Sequence, residues 1–174
     1  MTKQEAWLSG SVEGIAPILM PVAHALIQAA SDIEQAGKDL TSEEIWTKPH
    51  GAPSFAFHLR HIAGSIDRLL TYAKGGKLNS EQFAELDAEA KFDETIDARS
   101  LVQTTSECIE EAVEFLRFVD LESLFEKRVV GRKELPTNVF GLLFHIAEHT
   151  QRHTGQAITT AKIVHQQKSY GISD

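Results

Sequence analysis

Cysteine is almost missing from this chain. One residue of 174 is a cysteine, Cys108, so no internal disulfide can form, and the composition suits a reducing compartment. Cys108 lies in SECIEEA, where neighbouring carboxylates disfavour a thiolate, and it reads as structural. Proline and glycine are sparse, at 5 and 11, too few for a loop-rich or disordered chain. No run approaches about 18 uncharged apolar residues, which excludes a membrane-spanning helix. The opening MTKQEAWLSG has no apolar stretch of the kind an export signal needs. Basic residues are outnumbered, 17 against 25 acidic, for a formal charge of −8. No Lys/Arg cluster along the sequence offsets that charge, so nucleic-acid binding is disfavoured. The expectation is a cytoplasmic protein with a small-molecule substrate and neither nucleic acid nor membrane as partner. The length suits a single domain, 1–174.

What is present is helical periodicity. Residues 12–36 carry a stripe of Ile15, Ile18, Leu19, Val22, Leu26, Ile27, Ala30 and Ile33, with Pro17 and Pro21 predicting a late or kinked start and Gly37 a stop. A connector follows, in which TSEEIW reads as one capped helical turn. Ser54 then caps a second helix whose stripe is Phe55, Leu59, Ile62, Ile66, Leu69 and Ala73, ended by Gly75-Gly76. Residues 77–99 are polar and acidic, with room for a short helix at SEQFAELDAEA. A third long helix runs from Ser100 to about Val119 on Leu101, Val102, Ile109, Val113 and Leu116. KRVVGRKELPTN reads as an irregular loop or a small hairpin. The last helix begins near Pro136 or Thr137 and reaches about Val164. Four long amphipathic helices predict an all-α, up-down four-helix bundle with a longer connection between the second and third helices. Apolar residues beyond a single stripe, such as Met20, Ala23 and Phe115, predict a homodimer.

The last helix breaks its own pattern. Its stripe reads Val139, Leu142, Ile146, then Ala157, Thr160 and Val164. Alternating three-and-four spacing from Ile146 lands on His149 and His153. Two imidazoles four apart stack on one helical face, and that spacing suits a divalent ion. Their place on the core stripe strengthens the reading, because buried imidazoles without partners are costly. His145 sits about 100° round the helix from Ile146, at the edge of the stripe, as an outer neighbour. The second helix offers a third imidazole in FHLRHIAG. His58 lies roughly 70° and His61 roughly 130° from the centre of that stripe, so periodicity alone favours His58. Three imidazoles leave an ion with an open position, the arrangement of a catalytic site rather than a structural one.

The two motifs SFAFHLRHIAG and GLLFHIAEHTQRHTGQA resemble those of the DinB-like (YfiT-like) superfamily of metal-dependent four-helix bundle proteins, over nearly the whole chain in helix order and spacing. The late motif is the more specific. The resemblance implies that the last-helix ligands are His149 and His153, in agreement with the stripe. It places the third ligand about seven residues after the Ser that opens the second helix, which is His61, with His58 as alternative or supporting residue and His145 likewise. Thr154 departs from the Arg that many members carry after the last histidine. The resemblance further implies a nickel, zinc or similar divalent ion, and thiol-dependent transferases and isomerases as relatives, with a low-molecular-weight thiol as cosubstrate. Two functions follow: a metalloenzyme that activates a thiol or water for transfer or hydrolysis on a small molecule, or a non-catalytic, stress-associated metal-binding bundle. The remaining candidates have plainer readings. Arg60, Asp67 and Arg68 read as a solvated face, Trp7 and Trp46 as packing, Glu148 as a surface carboxylate, and Phe57, Phe140 and Phe144 as pocket wall or core.

Overall fold

The structure, a computed structural model, describes residues 4–170, with side chains as far as Gln166. It is mostly helical. Pro17 opens a 3-10 turn that leads into α1, Met20–Gly37. Pro21 lies in the first turn of α1, where a missing N–H goes unused. Thr41 and Glu44 cap each other's backbone N–H groups, at 3.3 and 2.8 Å, and hold the turn at TSEEIW. Ser54 caps α2, Phe55–Ala73, by accepting from the Phe57 N–H at 3.2 Å. The acidic connection contains the short helix α3, Ser80–Ala88, closed by a reciprocal cap between Asn79 and Gln82. Asp97 caps α4, Ala98–Arg117. An antiparallel hairpin, β1 Lys127–Val130 with β2 Leu135–Asn138, precedes α5, Val139–Tyr170.

α1 and α2 each pack against both α4 and α5. The stripes read from the sequence fill one core. Phe55, Leu59, Ile62, Ile66, Leu69 and Ala73 of α2 are all buried, as are Val139, Leu142, Ile146, Ala157 and Val164 of α5. Gly37 permits a close approach of α1 to α4, since a Cβ there would meet Val102 at 2.5 Å. Among the described residues no helix is long and apolar enough to cross a membrane.

Several details depart from the pattern. Ile18 and Ile27 are exposed at 47% and 37%, because α1 begins only after Pro17 and its face is set by Leu19, Val22, Leu26 and Ile33. Ala23 is buried in this chain's own core, and Met20 and Phe115 pack against that core while remaining partly exposed. α5 starts at Val139, two to three residues later than the expected start near Pro136 or Thr137, because Pro136 and Thr137 pair in the hairpin. It also continues beyond Val164. Trp7 is 63% exposed rather than packed, whereas Trp46 is part-buried and meets Phe92 edge-on at 5.4 Å.

One tether in the connection bears on the site. Gln82 of α3, 9% exposed, donates to Asp67 at 2.7 Å and Thr71 at 2.8 Å on α2. This fixes α3 along α2 and delivers the residue just after it, Glu89, to the flank of α2.

Candidate metal centre

α2 and α5 lie along each other, and their histidines meet between them. His61, His149 and His153 each offer a ring nitrogen such that the three atoms lie within 4.8 Å of one another. The Nε2 atoms of His61 and His149 are 2.9 Å apart. Two nitrogens each bound at about 2.0–2.1 Å to one ion lie roughly 2.9–3.4 Å apart, for angles from right to tetrahedral. The observed separation falls in that range.

The outer nitrogens identify what holds each ring. His61 Nδ1–H donates to Glu89 Oε2 at 2.6 Å, which leaves Nε2 with its lone pair turned inward. Glu89 is 4% exposed, and its Oε1 accepts from Arg68 Nη2 at 2.8 Å. His153 Nδ1 shares a hydrogen bond with His58 Nδ1 at 3.1 Å, so its Nε2 remains for a ligand. His58 is 3% exposed, deep between the helices. His149 Nδ1 is buried with no hydrogen-bond partner. Its ring is therefore the least fixed by the protein, and an ion on the same ring would supply the missing constraint. Phe57 lies flat on His61, at 5.5 Å and 11°, and edge-on to His58 at 5.4 Å, so it walls the cluster.

Burial and mutual repulsion keep His58, His149 and His153 neutral. His58 is pushed down to about 4 by burial and then by repulsion from His61. His149 is pushed down to about 4 by burial, then by His153, His61, His145 and Arg152. His153 is pushed down to about 4 by burial, then by His61, His58 and Arg152, with Glu89 opposing. At neutral pH each of these three rings keeps one nitrogen lone pair free of a proton, the state a metal ligand needs. Burial opposes ionisation of Glu89, but the hydrogen bonds from His61 and Arg68, with the charge of Arg68, outweigh it and hold the carboxyl below its ordinary range. Burial, with Glu111, Asp67 and Glu107, raises the Cys108 thiol, in keeping with an inert cysteine.

His145 lies outside this inner group. Its exposed ring donates to Glu148 at 2.6 Å, and Glu148 also accepts from Arg152 at 2.5 Å. The ring of His145 is 5.1 Å from that of His149, and His145, Glu148 and His149 form a second, more exposed set of atoms within 4.8 Å. His24 bonds the Gly10 carbonyl at 2.8 Å. The order of burial on α2 matches the stripe, with His58 deep and His61 half-buried. The donors that converge are nevertheless those of His61, because His58 reaches only the outer nitrogen of His153.

Two residues escaped the sequence reading. Arg68 is not on a solvated face: it is 8% exposed, and Glu89 is its partner. His61, Gly64 and Arg68 are spaced three and four apart, and that stripe was the available signal. Glu89 carried no local signal, because its position depends on the Gln82 tether across to α2.

The sequence profile of the DinB superfamily matches residues 25–157. A solved structure described as a conserved protein of a locus from Enterococcus faecalis superposes with a TM-score of 0.60 at 18% identity, covering 86% of this chain and 98% of that one. At that identity the likeness concerns the fold. No curated protein matches the chain.

Proposed function

The chain belongs to the DinB superfamily, and from that premise we propose that it is a divalent-metal-dependent enzyme acting on a small molecule, with His61, His149 and His153 as the metal ligands on an up-down four-helix bundle of α1, α2, α4 and α5. One observation carries the reading. Three imidazole nitrogens converge within 4.8 Å, and the outer nitrogens of His61 and His153 are already engaged by Glu89 and His58. Chance surface histidines seldom come with partners that fix their tautomers, whereas metal-binding imidazoles almost always do. An all-imidazole set suits nickel or zinc rather than calcium or magnesium.

The ion would supply a Lewis acid with an open position, which lowers the pKa of a thiol or water at neutral pH. The chain's own residues do the rest. Glu89 holds the proton on His61 Nδ1, and His58 engages the outer nitrogen of His153. Phe57 stacks beside His61, nearly parallel to its ring. Three ligands from one protein leave room for an exchangeable fourth, and this favours the enzyme over a silent structural site. A low-molecular-weight thiol as cosubstrate makes the chemistry a transfer, and water makes it a hydrolysis.

The test is turnover by the protein loaded with nickel or zinc, measured with a low-molecular-weight thiol and a panel of small electrophiles. The expected result is metal-dependent consumption of the thiol or hydrolysis of the electrophile, lost on His149→Leu. Activity that survives both chelation and this substitution would overturn the proposal.

A further inference from the structure

We infer that Gly64, Arg68 and Glu89 form a buried positioning unit that aims His61 and sets how tightly the centre holds its ion. The inference rests on the proposed metal reading and deepens it, because none of the three is a ligand in that reading. Glu89 bridges His61 and Arg68 through its two oxygens, at 2.6 and 2.8 Å. Both charged residues are more than nine-tenths buried. A buried ion pair is weak evidence for stability, since a well-packed apolar pair of the same volume is often as good or better. Packing alone therefore does not explain why charges stand here. Orientation of His61 does. That ring lies at the rim of the helix face with 21% of its side chain exposed. Without the carboxylate it would be free to swing outward or to hold its proton on the wrong nitrogen.

Gly64 supplies the geometric part. It lies inside α2 with ordinary helical backbone, where alanine is the better helix former. A Cβ at this position would meet Arg68 Nη1 at 2.6 Å and Glu89 Oε1 at 2.7 Å. The glycine is thus matched to the ion pair and not to the backbone. Gly64→Ala should move the flexible ends of Arg68 and Glu89 while the helix itself is strengthened. Stability and metal affinity then change independently, which a purely structural role would not produce.

The experiment measures zinc affinity by competition with a chromophoric chelator, the visible spectrum of the cobalt(II)-loaded protein, and the melting temperature of the metal-free form. The chains compared are the native protein, Gly64→Ala, Glu89→Gln and the double variant. Outer partners of metal ligands typically contribute about 10–100-fold in affinity. Each single variant is expected to weaken zinc by that factor and to shift the cobalt spectrum. The metal-free Gly64→Ala protein should melt at or above the native temperature. The double variant should bind no more weakly than the weaker single variant, because both act through the same carboxylate. Glu89→Gln leaves the Arg68 charge buried without a counter-charge; if it does not fold, Gly64→Ala decides the matter alone. Zinc affinity of Gly64→Ala within twofold of native, or an affinity loss that tracks a fall in metal-free melting temperature, would overturn the unit while leaving the three-histidine centre intact. A native chain that takes up no zinc overturns the metal reading itself, and the unit's role with it.

Discussion

Stripping the ion should leave the fold in place. The core is made of apolar side chains and not of the histidines. Leu19, Leu26, Ile33, Phe55, Leu59 and Ile62 are each fully buried, and at about 1.5–3 kcal/mol apiece these six alone contribute roughly 9–18 kcal/mol of gross burial energy. An ion that binds only the native state adds RT ln(1 + [L]/Kd), about 2.7 kcal/mol at a hundredfold excess over Kd. In a chain of this size a kilocalorie moves the melting temperature by roughly 2–4 °C, so the shift should be about 5–10 °C. The assay is far-ultraviolet circular dichroism of zinc-loaded and chelated protein at 25 °C, followed by a melt of each. The helical signal at 25 °C should coincide in the two samples, and only the midpoints should differ. Collapse of the helical signal on chelation would refute the reasoning, because the ion would then be a structural staple and the case for an open, catalytic centre would lose its footing.

Three further outcomes are expected. His149→Leu should give a folded, metal-poor protein whose metal-free form is at least as stable as the native one, since position 149 continues an apolar stripe and Nδ1 is a buried polar atom without a partner, worth about 1–3 kcal/mol; a lower melting temperature for the metal-free variant would contradict this. The metal-free native chain should lose stability as pH falls from about 6.5 toward 4. His58, His149 and His153 are depressed to about 4 in the fold, so the unfolded chain takes up protons across that window and the native one does not; melting temperatures that are flat or rise on acidification from pH 7 to 4.5 would oppose it. Leu59→Ala, at a fully buried position one residue from His58, should cost about 2–5 kcal/mol in urea denaturation, and a cost below about 1 kcal/mol would mean the core is placed wrongly.

Periodicity carried the sequence reading where a helix packs one face on a core. The stripes of α2 and α5 are buried nearly as written, and the places where imidazole interrupts the α5 stripe are where the histidines converge. It worked less well where a residue's environment is set by chain far away in sequence. Ile18 looks like core by spacing, but the prolines delay α1 and leave it outside. Arg68 looks like surface by type, yet Glu89 neutralises it in the interior from a connection whose course depends on the capping of α3 and the Gln82 tether. The choice between His58 and His61 is the instructive case. The stripe ranks their depth correctly, but depth does not decide which ring nitrogens converge. The residue nearer the core engages another histidine's outer nitrogen, while the one at the rim turns Nε2 toward His149.

That choice also gives the most direct test of the central claim. Divalent metal content should be measured in the native chain, His61→Ala and His58→Ala, each purified without nickel resin or chelator and analysed by inductively coupled plasma mass spectrometry. The account predicts close to one ion per native chain, almost none in His61→Ala, and a reduced but substantial content in His58→Ala, which loses only the support of His153. Loss of the ion from His58→Ala together with its retention in His61→Ala would contradict the assignment.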